Sequence, residues 1–237
     1  MALAGERGLK LFDVRDPPRD LRVGDGTRRA GRRLLTVGTD CSVGKMYSSL
    51  ALVAALKDRG LKADFRATGQ TGIMIAGSGV PLDAVIADFI SGAIEQLAPE
   101  RLDGGWDVIE GQGSLAHPSF AGVSTGLLHG AQPEAIVLCH DPGREEMRGL
   151  RGRALPGLAE TLELNLAVAR LTSPAIRAVG ICLNTSNLGA VETRRLCDQI
   201  EDVLGLPCTD PVKYGVEAII DELTCNATSK PVTTATR

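Results

Sequence analysis

The chain has 237 residues, of which 43% are hydrophobic and 23% charged, with a formal net charge of −3. That length suits one large α/β domain or two small ones, and the mild negative charge leaves no electrostatic footprint for nucleic acid. No apolar run approaches the length of a bilayer span, so no membrane contact is expected.

Lys10–Val14 reads as a short strand, stopped by Pro17 and Pro18 because proline has no N–H to donate. Residues 19 to 32 are polar and rich in Gly and Arg, as linkers are, and the basic cluster 28–33 reads as solvated. The apolar run Leu34–Val37 then leads into Gly38-Thr39-Asp40-Cys41-Ser42-Val43-Gly44-Lys45-Met46, followed by a helical pattern up to Arg59. Strand, glycine-bounded loop ending in Gly-Lys, then helix is the plan of a P-loop. Its backbone N–H groups and helix N-terminus receive phosphate, and Lys45 adds a cation. Met46 stands where the usual motif has Ser or Thr, the hydroxyl that ligates Mg²⁺. A thioether is no ligand for that hard cation, so phosphate binding without Mg-ATP hydrolysis is expected.

Ala63–Ala67 is the next expected strand, with the loop Thr68–Gly72 after it. Arg66, Thr68, Gln70 and Thr71 are candidates for holding a substrate carboxylate, Arg66 by a bidentate pair. A helix is expected from about Asp83 to Leu97. It would place Asp88 among apolar neighbours, where a carboxylate needs a partner such as Lys45. Strand 106–109 ends at Glu110, the point where P-loop proteins carry a metal-binding or water-positioning carboxylate. Gln112 and Ser114, in the glycine-rich loop behind it, join the substrate-binding candidates. His117 lies close enough to Glu110 to be a candidate base. The three histidines, His117, His129 and His140, lack metal-ligand spacing, and no resident metal is expected.

Apolar strands at 135–139 and 178–183 follow, the second ending at Asn184, whose amide suits an adenine edge or a turn. Helices are expected over about 157–171 and 191–204. Residues 224 to 237 read as a disordered tail. The six cysteines show no Cys-x-x-Cys pair, which fits reduced thiols in a cytoplasmic protein. Near-continuous apolar strands alternating with helices imply a mostly parallel sheet covered on both faces.

The phosphate loop, Arg66–Gly72, Asp88-Phe89, Glu110–Leu115, His117-Pro118, Leu127–Gly130 and Asp210-Pro211 together resemble one family, from about Phe12 to about Tyr214. It is the domain-of-unknown-function family DUF1611. Its characterised members, of the DgcN type, are D-glutamate/D-glutamine N-acetyltransferases that use acetyl-CoA. The resemblance implies a P-loop NTPase-like three-layer α/β sandwich over residues 33–223, similar to dethiobiotin synthetase. Residues 1–32 would be the remnant of an N-terminal domain plus a linker. It also implies acetyl-CoA on the phosphate loop and Asn184, an amino acid from D-amino-acid catabolism as acceptor, and a homodimer. Asp88, Glu110 or His117 would serve as base, with Glu110 favoured, and N–H groups of Gly111–Gly113 would face the oxyanion. Two alternatives stay open: a Mg-ATP-dependent ligase or kinase of the dethiobiotin synthetase kind, and a nucleotide-binding module without chemistry.

Overall fold

The computed structural model describes residues 2–225. Its elements run α1 Ala2–Glu6, β1 Arg32–Gly38, α2 Lys45–Asp58, β2 Ala63–Arg66, α3 Gln70–Ala76, α4 Ile90–Leu97 and β3 Trp106–Ile109. Then follow α5 Ala121–Ala131, β4 Ala135–His140, α6 Leu158–Ala169, β5 Arg177–Leu183, α7 Ala190–Leu204, β6 Cys208–Thr209 and α8 Glu217–Cys225. The strands form one sheet in the order β2-β3-β1-β4-β5-β6, every neighbouring pair parallel.

Alternation along each strand builds two cores. Leu35, Val37, Ile109, Ile136, Leu138 and Ile181 face α4, α5, α6 and α7. Their neighbours Leu34, Val108, Val137, Cys139 and Val179 face α2 and α8. A period of two on strands buried on both sides gives the expected three-layer sandwich. No helix among the described residues is long and apolar enough to cross a membrane. No disulfide joins any of the six cysteines.

Several expectations need correcting. Residues 10–14 form no strand, and Leu11 and Phe12 are exposed, since a strand needs a sheet neighbour to be stable. The basic cluster is not simply solvated. Arg33 is buried and half-buried Arg29 donates to the carbonyls of Ala98 and Gly130, at 3.1 and 2.6 Å, closing the end of α4 against α5. The segment 68–72 is no plain loop, because α3 starts at Gln70. The long helix expected from 83 shrinks to α4, with two short 3₁₀ turns before it. Val85 and Ile86 between those turns are extended, which breaks the helix. Of the expected tail, Thr224 and Cys225 end α8, and residues 226–237 lie outside the described residues.

Candidate active site

A fully parallel sheet sends all its carboxyl ends to one edge, where open α/β folds bind ligands. Here the loops after β1, β2, β3, β5 and β6 surround a cavity of about 880 Å³ at that edge.

The phosphate loop forms its floor. Cys41, Ser42, Val43, Gly44, Lys45 and Met46 line the cavity, while Gly38, Thr39 and Asp40 support them from behind. Buried Lys45 turns its Nζ into the loop, donating to Asp40 O at 2.7 Å and Gly113 O at 2.9 Å. Burial pushes the Lys45 ammonium below its ordinary pKa, so an arriving phosphate would relieve an unfavourable setting. Around the loop, Thr39 Oγ1 meets His140 Nδ1 at 2.9 Å and Ser114 Oγ donates to Thr39 O at 3.1 Å.

The loop is also gripped from the segment after β4, which sequence reasoning missed. Arg144 donates to Asp40 Oδ2 at 3.0 Å and to Cys41 O at 2.5 Å, and the Arg148 guanidinium reaches Ser42 Oγ. Arg148 N donates to Asp40 Oδ2 at 2.7 Å. Burial alone would raise the Asp40 pKa, but these donors and the Cys41 amide bring it below the usual carboxylate range. The available signal was two arginines soon after a strand end.

Glu110, directly after β3, stands on the opposite wall. Its Oε2 accepts from Thr68 N at 3.0 Å and Gly69 N at 3.1 Å. Thr68 Oγ1 donates to Glu110 O at 2.6 Å and accepts from Gln112 Nε2 at 3.1 Å. Burial pushes the Glu110 carboxyl above its ordinary pKa, and the two amides and Lys45 offset only part of that. Gly72 on α3 makes room: a Cβ there would overlap Glu110 Oε2. Gln70, Thr71 and Gln112 line the cavity beside this carboxylate.

The far wall holds Asn184, Pro211 and Val212. Asp210 shapes it by accepting from Thr185 N at 3.1 Å, Val212 N at 2.9 Å and Lys213 N at 3.0 Å. Lys213 Nζ is held by the carbonyls of Thr185 and Leu188 at 2.6 and 2.8 Å.

Several predicted site residues fall elsewhere than expected. Asp88 is exposed on a 3₁₀ turn and does not line the cavity, rather than lying buried among apolar neighbours as expected. His117 is buried behind the floor, with Nε2 on Arg148 O at 3.0 Å and Nδ1 accepting from Ser119 N at 3.2 Å. Both ring nitrogens are thereby engaged, which removes the lone pair a base needs. Arg66 turns away to Asp107, at 2.8 Å, rather than toward a substrate. Thr68 and Ser114 are buried braces of Glu110 and Thr39, not cavity walls. The Gly111 N–H, expected to face an oxyanion, donates to Thr36 Oγ1 at 3.0 Å. For a metal, one ligand atom each from Asp40, Cys41 and His117 lie within 4.8 Å of one another.

The fold and this loop define a P-loop α/β protein. The model of the DUF1611 family's C-terminal P-loop domain, described as a domain of unknown function, matches residues 22–220. The chain therefore belongs to the DUF1611 family. It is 51% identical over 223 residues to a D-glutamate N-acetyltransferase of Pseudoalteromonas sp, covering 94% of this chain and 67% of that protein. It is 49% identical over 222 residues to a protein of the same name from Tritonibacter scottomollicae, with the same coverage. Among solved structures, a DUF1611 family protein from Anabaena variabilis superposes with a TM-score of 0.86 at 38% identity, covering 92% of this chain and 65% of that one. The chain thus spans about two thirds of the length of these relatives.

Proposed function

We propose that this protein is an N-acetyltransferase that moves an acetyl group from acetyl-CoA to the amine of D-glutamate, with D-glutamine as the alternative acceptor. Relatives at 51% and 49% identity bear the D-glutamate N-acetyltransferase name, which supports the reading. The observation that carries it is Glu110, a buried carboxylate with a raised pKa on the wall facing the phosphate loop of one cavity.

The pyrophosphate of CoA would lie over the N–H groups of the phosphate loop. Lys45 Nζ would exchange its two carbonyl contacts for phosphate oxygens. CoA needs no Mg²⁺ for this chemistry, which suits Met46 at the metal-hydroxyl position and counts against the ligase or kinase reading. Gln70, Thr71 and Gln112 offer polar contacts to the amino acid beside Glu110. The ammonium of the acceptor must lose a proton before it can attack, and Glu110 would take it. A carboxylate whose pKa is raised is a better base near neutral pH than one with its ordinary pKa. A homodimer and a cytoplasmic setting belong to the same proposal, and light scattering on the purified chain checks the first.

Kinetics of Glu110→Gln test the assignment. The variant is expected to bind acetyl-CoA as the wild type does and to lose roughly 100-fold or more in kcat. Unchanged turnover would remove Glu110 as the base.

A further inference from the structure

The cavity walls carry little positive charge for a ligand rich in phosphate. Their cations are Lys45 and Lys213, and their carboxylates are Asp83, Glu110 and Asp210. Both ammonium groups are engaged with backbone carbonyls, Lys45 with Asp40 O and Gly113 O, Lys213 with Thr185 O and Leu188 O. Acetyl-CoA brings a pyrophosphate and a 3′-phosphate. Met46 offers no hard oxygen to a Mg²⁺ that would share their charge. A polyanion of this kind calls for a further cation at the phosphate loop.

Two arginines reach that loop from the segment after β4, and only one of them has its charge matched. Arg144 lies 3.0 Å from the Asp40 carboxylate and 3.6 Å from that of Asp141. It also ties the loop backbone, donating to Cys41 O at 2.5 Å and to Ser42 O at 3.3 Å. Arg148 is exposed, and its guanidinium meets Ser42 Oγ with no carboxylate in ion-pair reach among the described residues. Its backbone, by contrast, is fixed from both sides by buried groups. The Arg148 N–H donates to Asp40 Oδ2 at 2.7 Å, and its carbonyl accepts from His117 Nε2 at 3.0 Å. Two buried polar side chains thus hold one unmatched cation at the rim of the cavity floor. Ser42, which that cation touches, lines the cavity, and so does Cys41, where its charge is felt. A guanidinium fork presents two parallel N–H groups, which suits a phosphate better than a lone hydroxyl.

We infer that Arg148 is a phosphate-binding residue of the acetyl-CoA site. The inference rests on the acetyl-CoA reading above. On binding, the guanidinium leaves Ser42 Oγ and forms a bidentate pair with a phosphate group of the cofactor. One hydrogen bond to an exposed hydroxyl is then replaced by two charge-assisted ones, which favours the exchange. Lys45 meets phosphate from the buried floor and Arg148 from the exposed rim. Arg144 stays on Asp40 and the loop carbonyls, so the loop keeps its shape while Arg148 moves. Asp40 and His117 act on the cofactor only through the Arg148 backbone, and exchanging the Arg148 side chain leaves their hydrogen bonds to it in place.

The test is calorimetric titration of the wild type, Arg148→Ala and Arg148→Lys with acetyl-CoA and with 3′-dephospho-acetyl-CoA, at low and high salt. For acetyl-CoA, Arg148→Ala is expected to raise Kd about tenfold or more, and Arg148→Lys, which keeps the charge without the fork, to recover part of that loss. The wild-type Kd should also rise more steeply with salt than that of Arg148→Ala, because the variant has lost an ionic contact. An effect of Arg148→Ala that vanishes with the 3′-dephospho compound would put the guanidinium on the 3′-phosphate. One that persists would put it on the pyrophosphate, and either result supports phosphate binding. Equal Kd values for wild type and Arg148→Ala would overturn the role of Arg148 and leave the acetyltransferase reading standing. So would a weakening with unchanged salt dependence and no recovery in Arg148→Lys. A wild type that neither binds acetyl-CoA nor turns it over would overturn that reading, and the role of Arg148 with it.

Discussion

Asp107 and Glu110 lie three residues apart at the end of one strand, and both are buried. Their surroundings differ in kind. Asp107 Oδ1 meets Arg66 at 2.8 Å and Arg101 at 3.1 Å, within an ion-pair network in which Arg101 also binds Asp64 and Asp103. Glu110 accepts from two backbone amides, with Gln112 and the Lys45 charge also acting on it, faces the cavity, and still has its pKa pushed up by burial. Position along a parallel strand decides between them. The residue inside the sheet edge is closed off by neighbours, and the one just past the strand end meets the ligand. Burial alone therefore does not mark a functional carboxylate; burial that nearby donors and cations do not offset, at a strand end facing a cavity, does.

Exchanging charge for an amide at each site separates the two roles. Glu110→Gln carries the largest expected effect, the kcat loss given above. Its stability should move the other way. A carboxyl whose folded pKa lies above its unfolded value binds protons more readily when folded, so its contribution to stability is lost as pH rises through the folded pKa. Removing that charge is expected to leave Tm at pH 8 level or higher, and a clear fall in Tm would contradict this account of Glu110. The same titration predicts that kcat falls as pH drops through the Glu110 pKa, where the base becomes protonated. A pH profile lacking that acid limb in the wild type would count against it.

Asp107→Asn should do the reverse. It removes one of several carboxylate partners from Arg66 and Arg101, at a cost of about 2 kcal/mol, because both arginines are partly solvated and keep other partners. Denaturant melts should show that loss, with kcat little changed. Lys45→Ala removes a charge-assisted contact to phosphate and should weaken acetyl-CoA by about 2 kcal/mol, roughly 30-fold in Kd. Smallest of all is Arg66→Ala, which should leave KM for the amino acid unchanged. A large rise in that KM would return Arg66 to the substrate site.

Much of this was legible in the sequence where local pattern and tertiary setting agree. The phosphate loop, α2, β3 with Glu110, β4 and β5 stand where the apolar runs put them. The exceptions share a cause, which is that close packing disguises local signals. Helix α5 shows no clear amphipathic stripe because Gly126 and Gly130, four residues apart, form its contact face. A Cβ on Gly126 would press on Ile90 at 2.7 Å, and one on Gly130 would overlap the Ser91 backbone. Gly72 likewise suggests a turn, yet it belongs to a helix and is small because Glu110 lies against it. Arg66 and Asp88 misled because neither a guanidinium nor a carboxylate reveals from sequence which neighbour it will meet. Asp107, in the strand that Glu110 follows, was the neighbour that decided Arg66.

The most direct test of the central claim is calorimetric titration of this chain with acetyl-CoA and, separately, with ATP plus Mg²⁺. The account predicts acetyl-CoA binding that Lys45→Ala weakens strongly, and little heat from Mg-ATP. Tight, metal-dependent ATP binding with none for acetyl-CoA would contradict it.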